Sequence, residues 1–325
     1  MAHGIQSDKY LQKIMTMVDT LGKQGTADML GIKIVTVNRR INEAKQRNVS
    51  PLTSKELNPA LIKIKEMYSE DEIKAIAKGG RVAPGQPQVP IISFEGQRIR
   101  VGLLSDTHIG SIYTDNNYIY QAFEEFKKEH CDFITHGGDV TEGMSNRAGH
   151  VYELTDIGYS AQKAKAIEIF SQAPAPVYMI DGNHDRWYVK SNGAYIVKEI
   201  CKELGSNAIY LGQDEGDISL KGRTTFKLWH GEDGNSYALS YRMQKIVESL
   251  SGGEKPGVIA ASHTHKSFTI FERNIYCIST GSIMKQSKWM RGKRIAAHVG
   301  FWIIDIWINK IGVAKIRSTW YPFYA

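Results

Sequence analysis

The sequence predicts a mixed α/β protein in two parts: a small all-α module at the front, then a layered α/β domain with buried sheets. Three observations carry this. From residue 91 onward, short β-branched runs alternate with helical stretches. A cluster of prolines and glycines separates that region from the front of the chain. The positive charge is also uneven: residues 1–50 hold 8 Lys/Arg against 4 Asp/Glu, whereas residues 51–96 hold 6 of each. Of a net +7 over 325 residues, more than half therefore lies in the first sixth. The division that follows is a basic module over 1–50, a helical segment with a Pro/Gly linker over 51–96, and a main domain over 97–325.

Taken in order, Leu11, Ile14, Met15 and Val18 fall at helical spacing and form a support helix. Thr26 to Gly31 reads as a short capped helix stopped by glycine. Thr36 can cap the next helix, in which Val37, Ile41 and Ala44 share one face at i, i+4 and i+7. Asn58-Pro59 opens a helical segment over 59–78 that Gly79-Gly80 stops. Pro84, Gly85, Pro87 and Pro90 then form the linker, since such a run cannot continue a helix. Strands are expected at Ile91–Phe94, Ile99–Leu104, Phe133–His136, Val177–Ile180, Thr225–Trp229, Gly257–Ala261 and Ile275–Ser279. Helices are expected at Tyr118–Glu129, Tyr159–Ser171 and Ala194–Leu204.

Composition narrows the function classes. With 42% apolar and 23% charged residues, disorder and collagen-like repeats are excluded. Cys131, Cys201 and Cys277 form no Cys-x-x-Cys, which argues against a disulfide framework or a cysteine zinc site and for a reducing compartment. No basic-then-apolar signal segment opens the sequence. The apolar stretch Val299 to Ile308 is too short to span a bilayer and carries Asp305. The expectation is a soluble cytoplasmic protein with no membrane partner; an oligomer is left open. The mild positive charge permits a polyanionic partner without requiring one.

Five polar segments each follow an apolar run: Asp106-Thr107-His108, Gly138-Asp139, Gly182-Asn183-His184-Asp185, His230-Gly231 and His263-Thr264-His265. Ligands just past strand carboxyl ends are where layered sheets place their sites. Imidazole, carboxylate and amide oxygen suit manganese, iron or zinc. Seven such ligands exceed the need of one ion, so two divalent transition-metal ions are the natural reading, manganese first. A two-metal site activates water and holds both oxygens of an in-line phosphoryl transfer.

This ordered set resembles the calcineurin-like metallophosphoesterases over about residues 97–325. The resemblance implies a four-layer α/β/β/α metallophosphoesterase sandwich. It implies one metal held by Asp106, His108, Asp139 and His265, and a second held by Asp139, Asn183, His230 and His263, with Asp139 bridging. His184 would contact phosphate and protonate the leaving oxygen, with Asp185 orienting its ring. Two departures from the family pattern matter. Ser262 stands where Gly usually precedes the first His of the last motif. Val140-Thr141-Glu142-Gly143 replaces the Asp-Arg-Gly of protein Ser/Thr phosphatases, so the layout is closer to the DNA-repair nuclease and phosphodiesterase branch. Arg186 is a candidate replacement phosphate contact, and Arg147 and His150, in the polar loop 143–157, are candidates to shape the substrate. Lys285, Lys288, Arg291, Lys293 and Arg294, with Trp289 among them, suit a nucleic-acid strand or a solvated face.

The front module resembles a helix-turn-helix. The resemblance puts Asn38, Arg39, Arg40 and Asn42 on a groove-entering helix, with Lys33 and Thr36 at its start. A protein-docking trio of helices is the alternative. The combination also resembles proteins carried by bacteriophages and prophages. The function expected is a dinuclear metal-dependent phosphodiesterase, a nuclease recruited to DNA. The alternatives are a phosphomonoesterase acting on a small molecule or phosphoprotein, and a DNA-binding regulator whose metal domain is structural.

Overall fold

A computed structural model of the chain describes residues 7–51, 73, 89–232, 238–250 and 255–324. The helical segment expected over 59–78, residue 73 apart, and most of the Pro/Gly linker lie outside the described residues. The chain divides into two units, Met1–Gln86 and Pro87–Ala325.

In the first unit, α1 (Asp8–Leu30) is broken at Gly22, whose φ of 70° and ψ of 173° are not helical. The Ser7 side chain caps its start and Gly31, in the left-handed region, ends it. α2 (Ile34–Gln46) buries Val37, Ile41 and Ala44. Ile14 and Ala27 of α1 pack against Val37 and Ile41 to form a small core. Two expected caps move. Lys33, not Thr36, precedes α2, and no side chain caps it, so Thr36 lies inside the first turn. Thr26 is not a cap either, because its hydroxyl donates to the Gly22 carbonyl within α1 at 2.8 Å.

The second unit is a four-layer α/β/β/α sandwich. One sheet holds β2 (Arg98–Leu104), β3 (Phe133–His136), β4 (Val177–Asp181), β5 (Ala208–Gln213), β11 (Gly300–Ile308) and β12 (Val313–Pro322), in the order β12-β11-β2-β3-β4-β5. β2 through β5 run parallel, while β11 pairs antiparallel to β2, with Val101 opposite Phe133 on one side and Ile304 on the other. The other sheet holds β1 (Ile91–Ile92), β6 (Glu215–Leu220), β7 (Thr224–Trp229), β8 (Val258–Ala261), β9 (Ser267–Glu272) and β10 (Ile275–Thr280), in the order β1-β6-β7-β8-β10-β9. Val101, Leu103 and Phe133 meet Phe226, Leu228 and Val258 between the sheets. Helices α3 (Asn116–Lys128), α4 (Tyr159–Phe170) and α6 (Ile196–Leu204) cover the outer face of the first sheet through Phe123, Phe126, Ile169 and Ile200. α7 (Leu239–Ser249) covers the second sheet through Met243 and Val247. α5 (Arg186–Asn192) and α8 (Lys288–Gly292) are short helices near the strand ends.

Strands buried on both faces are the signature of parallel sheets under helices, and β3 and β8 are buried at every position. Asp305 is a charge inside the apolar β11, and it is neutralised where it lies: Arg100 Nε donates to it at 2.7 Å and Arg317 at 2.5 Å. The three cysteines are unpaired thiols. No helix among the described residues is long and apolar enough to cross a membrane.

Candidate metal centre

The parallel strands β2, β3 and β4 of one sheet and β7 and β8 of the other end at the same edge of the sandwich. Each is followed by one of the five polar segments. The first two loops are stitched together by main-chain bonds: Asp106 N–H to the Gly138 carbonyl and His108 N–H to the Asp139 carbonyl, both 3.0 Å. The turns are tight. Asp106, His108, Asp139, His263 and His265 all have positive φ, between 44° and 76°, and account for five of the twelve such non-glycine residues described. Each such position costs on the order of 1–3 kcal/mol and persists only where surrounding structure imposes it. Glycine is required beside them, since a Cβ on Gly182 would clash with the Asp139 carboxylate and main-chain N–H.

The side chains converge as three groups, the middle one sharing a residue with each of the others. Asp106 Oδ1 lies 3.3 Å from His265 Nε2, and His265 Nε2 lies 3.3 Å from His108 Nε2. On the other side, His230 Nε2 lies 3.2 Å from Asp139 Oδ2 and 3.1 Å from Asn183 Oδ1. Donor atoms of Asp106, His108 and His265, of His108, Asp139 and His184, and of Asp139, His230 and His263 each fall within 4.8 Å of one another. His108 and Asp139 thus belong to two groups each.

The donors fit divalent cations. Asp106 Oδ1 is buried with no hydrogen-bond donor. With His108 Nδ1–H on the Glu142 carboxylate, the His108 Nε2 lone pair faces His265 Nε2 at 3.3 Å, and a cation would accept a lone pair from each. Two of the other ring nitrogens are fixed by the protein: His230 Nδ1 donates to the Gly137 carbonyl at 2.7 Å and His108 Nδ1 bonds the Glu142 carboxylate at 2.9 Å. Oxygen and imidazole donors without thiolate suit manganese, iron or zinc.

In the metal-free protein the imidazoles answer the carboxylates. Burial disfavours charge on His108 and His230, but Glu142 beside the first and Asp139 beside the second outweigh it and raise both to about 9. Burial would push Asp106 and Asp139 up, yet His265 and His230 respectively hold them below the usual carboxylate range. Burial, with the charge of His230, lowers His263 to about 4.

Glu142 was missed by the sequence reading except as a departure from the family pattern. It is buried, and one carboxylate oxygen faces His108 Nδ1 at 2.9 Å while the other faces His150 Nε2 at 3.0 Å. Its carbonyl accepts from His184 Nδ1 at 2.8 Å. The signal available was its place three residues after Asp139, where a carboxylate has no reason to be buried without partners.

Three expectations for site residues are corrected. Asp185 does not orient the His184 ring. Its carboxylate instead accepts from Val140 N, Thr141 N, Thr141 Oγ1 and Gly182 N, at 2.8–3.0 Å, and so fixes the loops that carry Asp139 and Asn183. Burial and nearby Asp139 push its carboxyl upward against these donors. Arg186 is not a free phosphate contact, because it is buried and paired with both Asp214 and Glu232. His150 is buried and engaged at both ring nitrogens: Ser145 N–H donates to its Nδ1 at 3.0 Å, which leaves Nε2–H for Glu142. Arg147 is half-exposed and bonds Glu153 at 2.5 Å. His184 keeps its side chain 30% exposed, with its main-chain N–H on Asp139 Oδ1 at 2.7 Å. In the front module, Lys33, Arg39 and Asn42 are exposed, Thr36 and Asn38 are half-buried, and Arg40 is tied to Glu43 at 2.7 Å.

A four-layer sandwich with a histidine and aspartate cluster at its strand carboxyl ends defines a class of α/β protein built to hold metal. Residues 99–299 match the calcineurin-like phosphoesterase superfamily domain, and the chain belongs to that family, whose members are metal-dependent phosphoester hydrolases. Among solved structures it is similar to a novel archaeal phosphodiesterase, at 17% identity and a TM-score of 0.40, over 69% of this chain and 100% of that one. It is similar to a predicted phosphoesterase from Streptococcus pneumoniae TIGR4, at 12% identity and a TM-score of 0.34, over 69% of this chain and 98% of that one. It is also similar to vacuolar protein sorting 29 from Cryptosporidium parvum, at 10% identity and a TM-score of 0.38, over 70% of this chain and 100% of that one. No curated protein sequence matches the chain.

Proposed function

We propose that the chain is a phosphodiesterase that depends on two divalent metal ions, acts as a nuclease and is recruited to DNA by its front module. The observation that carries the reading is the overlap of donor groups around Asp139 and His108. Asp106, His108, Asp139 and His265 would hold one ion, and Asp139, Asn183, His230 and His263 the other. Bound there, the pair supplies Lewis acidity to a phosphoryl oxygen and makes water nucleophilic at neutral pH.

The chain's own residues do the rest. Asp139 sets the spacing of the two groups and receives the His184 N–H. His184 donates from Nδ1 to the Glu142 carbonyl, so Nε2 is the nitrogen left to pass a proton to the leaving oxygen. Asp185 and Glu142 hold the loops and rings in place. A terminal phosphate dianion is commonly met by an arginine fork; Arg186, beside the Asn183-His184-Asp185 segment, is instead committed to Asp214 and Glu232. A singly charged diester suits such a site better. Exposed Arg39 and Asn42 on α2 and Lys33 at its start support recruitment to DNA.

The test is purified protein with Mn²⁺ against single- and double-stranded DNA, RNA, a chromogenic diester and nucleoside monophosphates. Cleavage of polynucleotide and diester, abolished by chelation, is expected. Monoester turnover exceeding diester turnover would make it a phosphomonoesterase, and two bound ions without hydrolysis would favour a DNA-binding regulator.

A further inference from the structure

We propose that the excursion between β10 and β11 is a docking platform for one nucleic-acid strand, made by Lys288, Trp289, Arg291, Lys293 and Arg294. The proposal rests on the phosphodiesterase reading above and adds a substrate form, a single strand.

The segment leaves β10 at Thr280 and enters β11 at Gly300. Both of its ends are bonded to the backbone that carries metal-centre side chains. Ile283 N–H and Met284 N–H donate to the carbonyls of Ser105 and Asp106, both at 3.2 Å, and His298 N–H donates to the His265 carbonyl at 2.8 Å. The platform is thus rooted on the Asp106 and His265 loops.

It is also held in shape. Ser287 caps α8 by accepting from Met290 N, and Met290 is buried beneath it. Gln286 Nε2 donates to the Ile295 carbonyl at 2.7 Å and Lys266 Nζ to the Ala296 carbonyl at 2.5 Å. A merely solvated basic loop needs no such framework.

The charge is concentrated and uncompensated here, whereas many surface lysines are paired. Lys128, Lys163, Lys165, Lys190 and Lys245 each face a glutamate. Lys288, Arg291, Lys293 and Arg294 are exposed, and among the described residues none has an acidic partner. The sequence holds no Asp or Glu between Glu272 and Asp305. Lys285 is apart from this set, lying over the Tyr118 ring and beside Asp115. Trp289, 53% exposed, stands among the four cations. Four unpaired charges exceed the need of a small diester. An exposed indole beside them is what an unstacked base requires and a duplex, with its bases already stacked, does not.

The experiment is fluorescence anisotropy of the full-length protein with a labelled oligothymidylate of about twelve nucleotides. It is run in chelator, so nothing is cleaved, across a salt series. The variants are Trp289→Ala and the fourfold Lys288→Gln, Arg291→Gln, Lys293→Gln, Arg294→Gln. Chromogenic diester hydrolysis with Mn²⁺ and a thermal melt are measured in parallel. The fourfold variant should bind at least about tenfold more weakly, with a log–log salt slope shallower by about 3, from roughly 0.7 per phosphate contact. Trp289→Ala should weaken strand binding by about 5- to 100-fold and duplex binding less. Diester kcat/KM and the melting temperature should hold. Unchanged strand affinity and slope in the fourfold variant overturn the platform. So does a Trp289→Ala loss equal on strand and duplex, or binding to phosphatidylserine vesicles tighter than to the strand and lost in the same variant. Strand binding that depends on these residues in a protein without diesterase activity would uphold the platform and sink the phosphodiesterase reading.

Discussion

Glu142 touches three histidines, and each contact does something different: it fixes the tautomer of His108, anchors His150, and holds His184 by its carbonyl. Glu142→Gln keeps the size and removes the charge. It should lower metal affinity or activity by about 10- to 100-fold, the usual worth of a partner behind a metal-binding histidine, read by metal titration beside turnover. Asp139→Asn should be more severe, because it reaches both donor groups, and loading and activity should fall together. His184→Gln should separate them. Bound metal should stay near wild type while turnover drops by roughly 10²–10⁴, most on substrates with poor leaving groups. Loss of metal with unchanged turnover per bound ion would remove His184 from the proton-donor role.

At the scale of elements, the sequence exposed what is buried on both faces and hid what lies at edges. β3 matches its expected range, and β2, β7, β8 and β10 differ from theirs by one residue each, because each is a compact apolar run under helices or between sheets. β6 and β9 alternate burial along their length and carry Glu215, Asp217 and Glu272, so no apolar run marks them. β11 reads as an apolar stretch, but nothing local says that it will lie beside β2, some 200 residues earlier. The seven proposed ligands were legible because each follows such a run. The roles of Glu142 and His150 were not, since their partners are set by loop packing. α2 supports a sharper test of the front module. Arg40 is already occupied by Glu43, so Arg39→Ala with Asn42→Ala should weaken duplex binding by about 1–3 kcal/mol per lost base contact, measured by anisotropy, with chromogenic diester hydrolysis unchanged. Undiminished binding would favour a protein-docking module.

For the whole molecule, protons and metal compete for one site. His108 and His230, raised from 6.5 to about 9, are charged at neutral pH in the metal-free protein. Metal loading must expel those protons, so affinity should fall as pH falls, and calorimetry in buffers of different ionisation enthalpy should count about two protons released. The same shift fixes a stability trend. Raised pKa values stabilise the metal-free fold fully below about 6.5, and that contribution is lost as pH rises through about 9. The chelated protein should therefore melt lower at pH 9.5 than at pH 7, and a metal-loaded sample should not follow it.

The sheet order β12-β11-β2-β3-β4-β5 has a consequence for synthesis on the ribosome. β2, which leads into Asp106 and His108, receives one of its two neighbours only when residues 300–308 have been made. Chain emerging in order would show its first would-be ligands early, on a strand still bare along one side. The cluster then closes only after the last two strands arrive. A nascent chain halted before residue 300 should hold no ion tightly, however many histidines it already displays. Cation capture then serves as a timestamp: it marks a sheet whose last two strands are in place, and partial chains should be left without the metal that phosphoester hydrolysis requires.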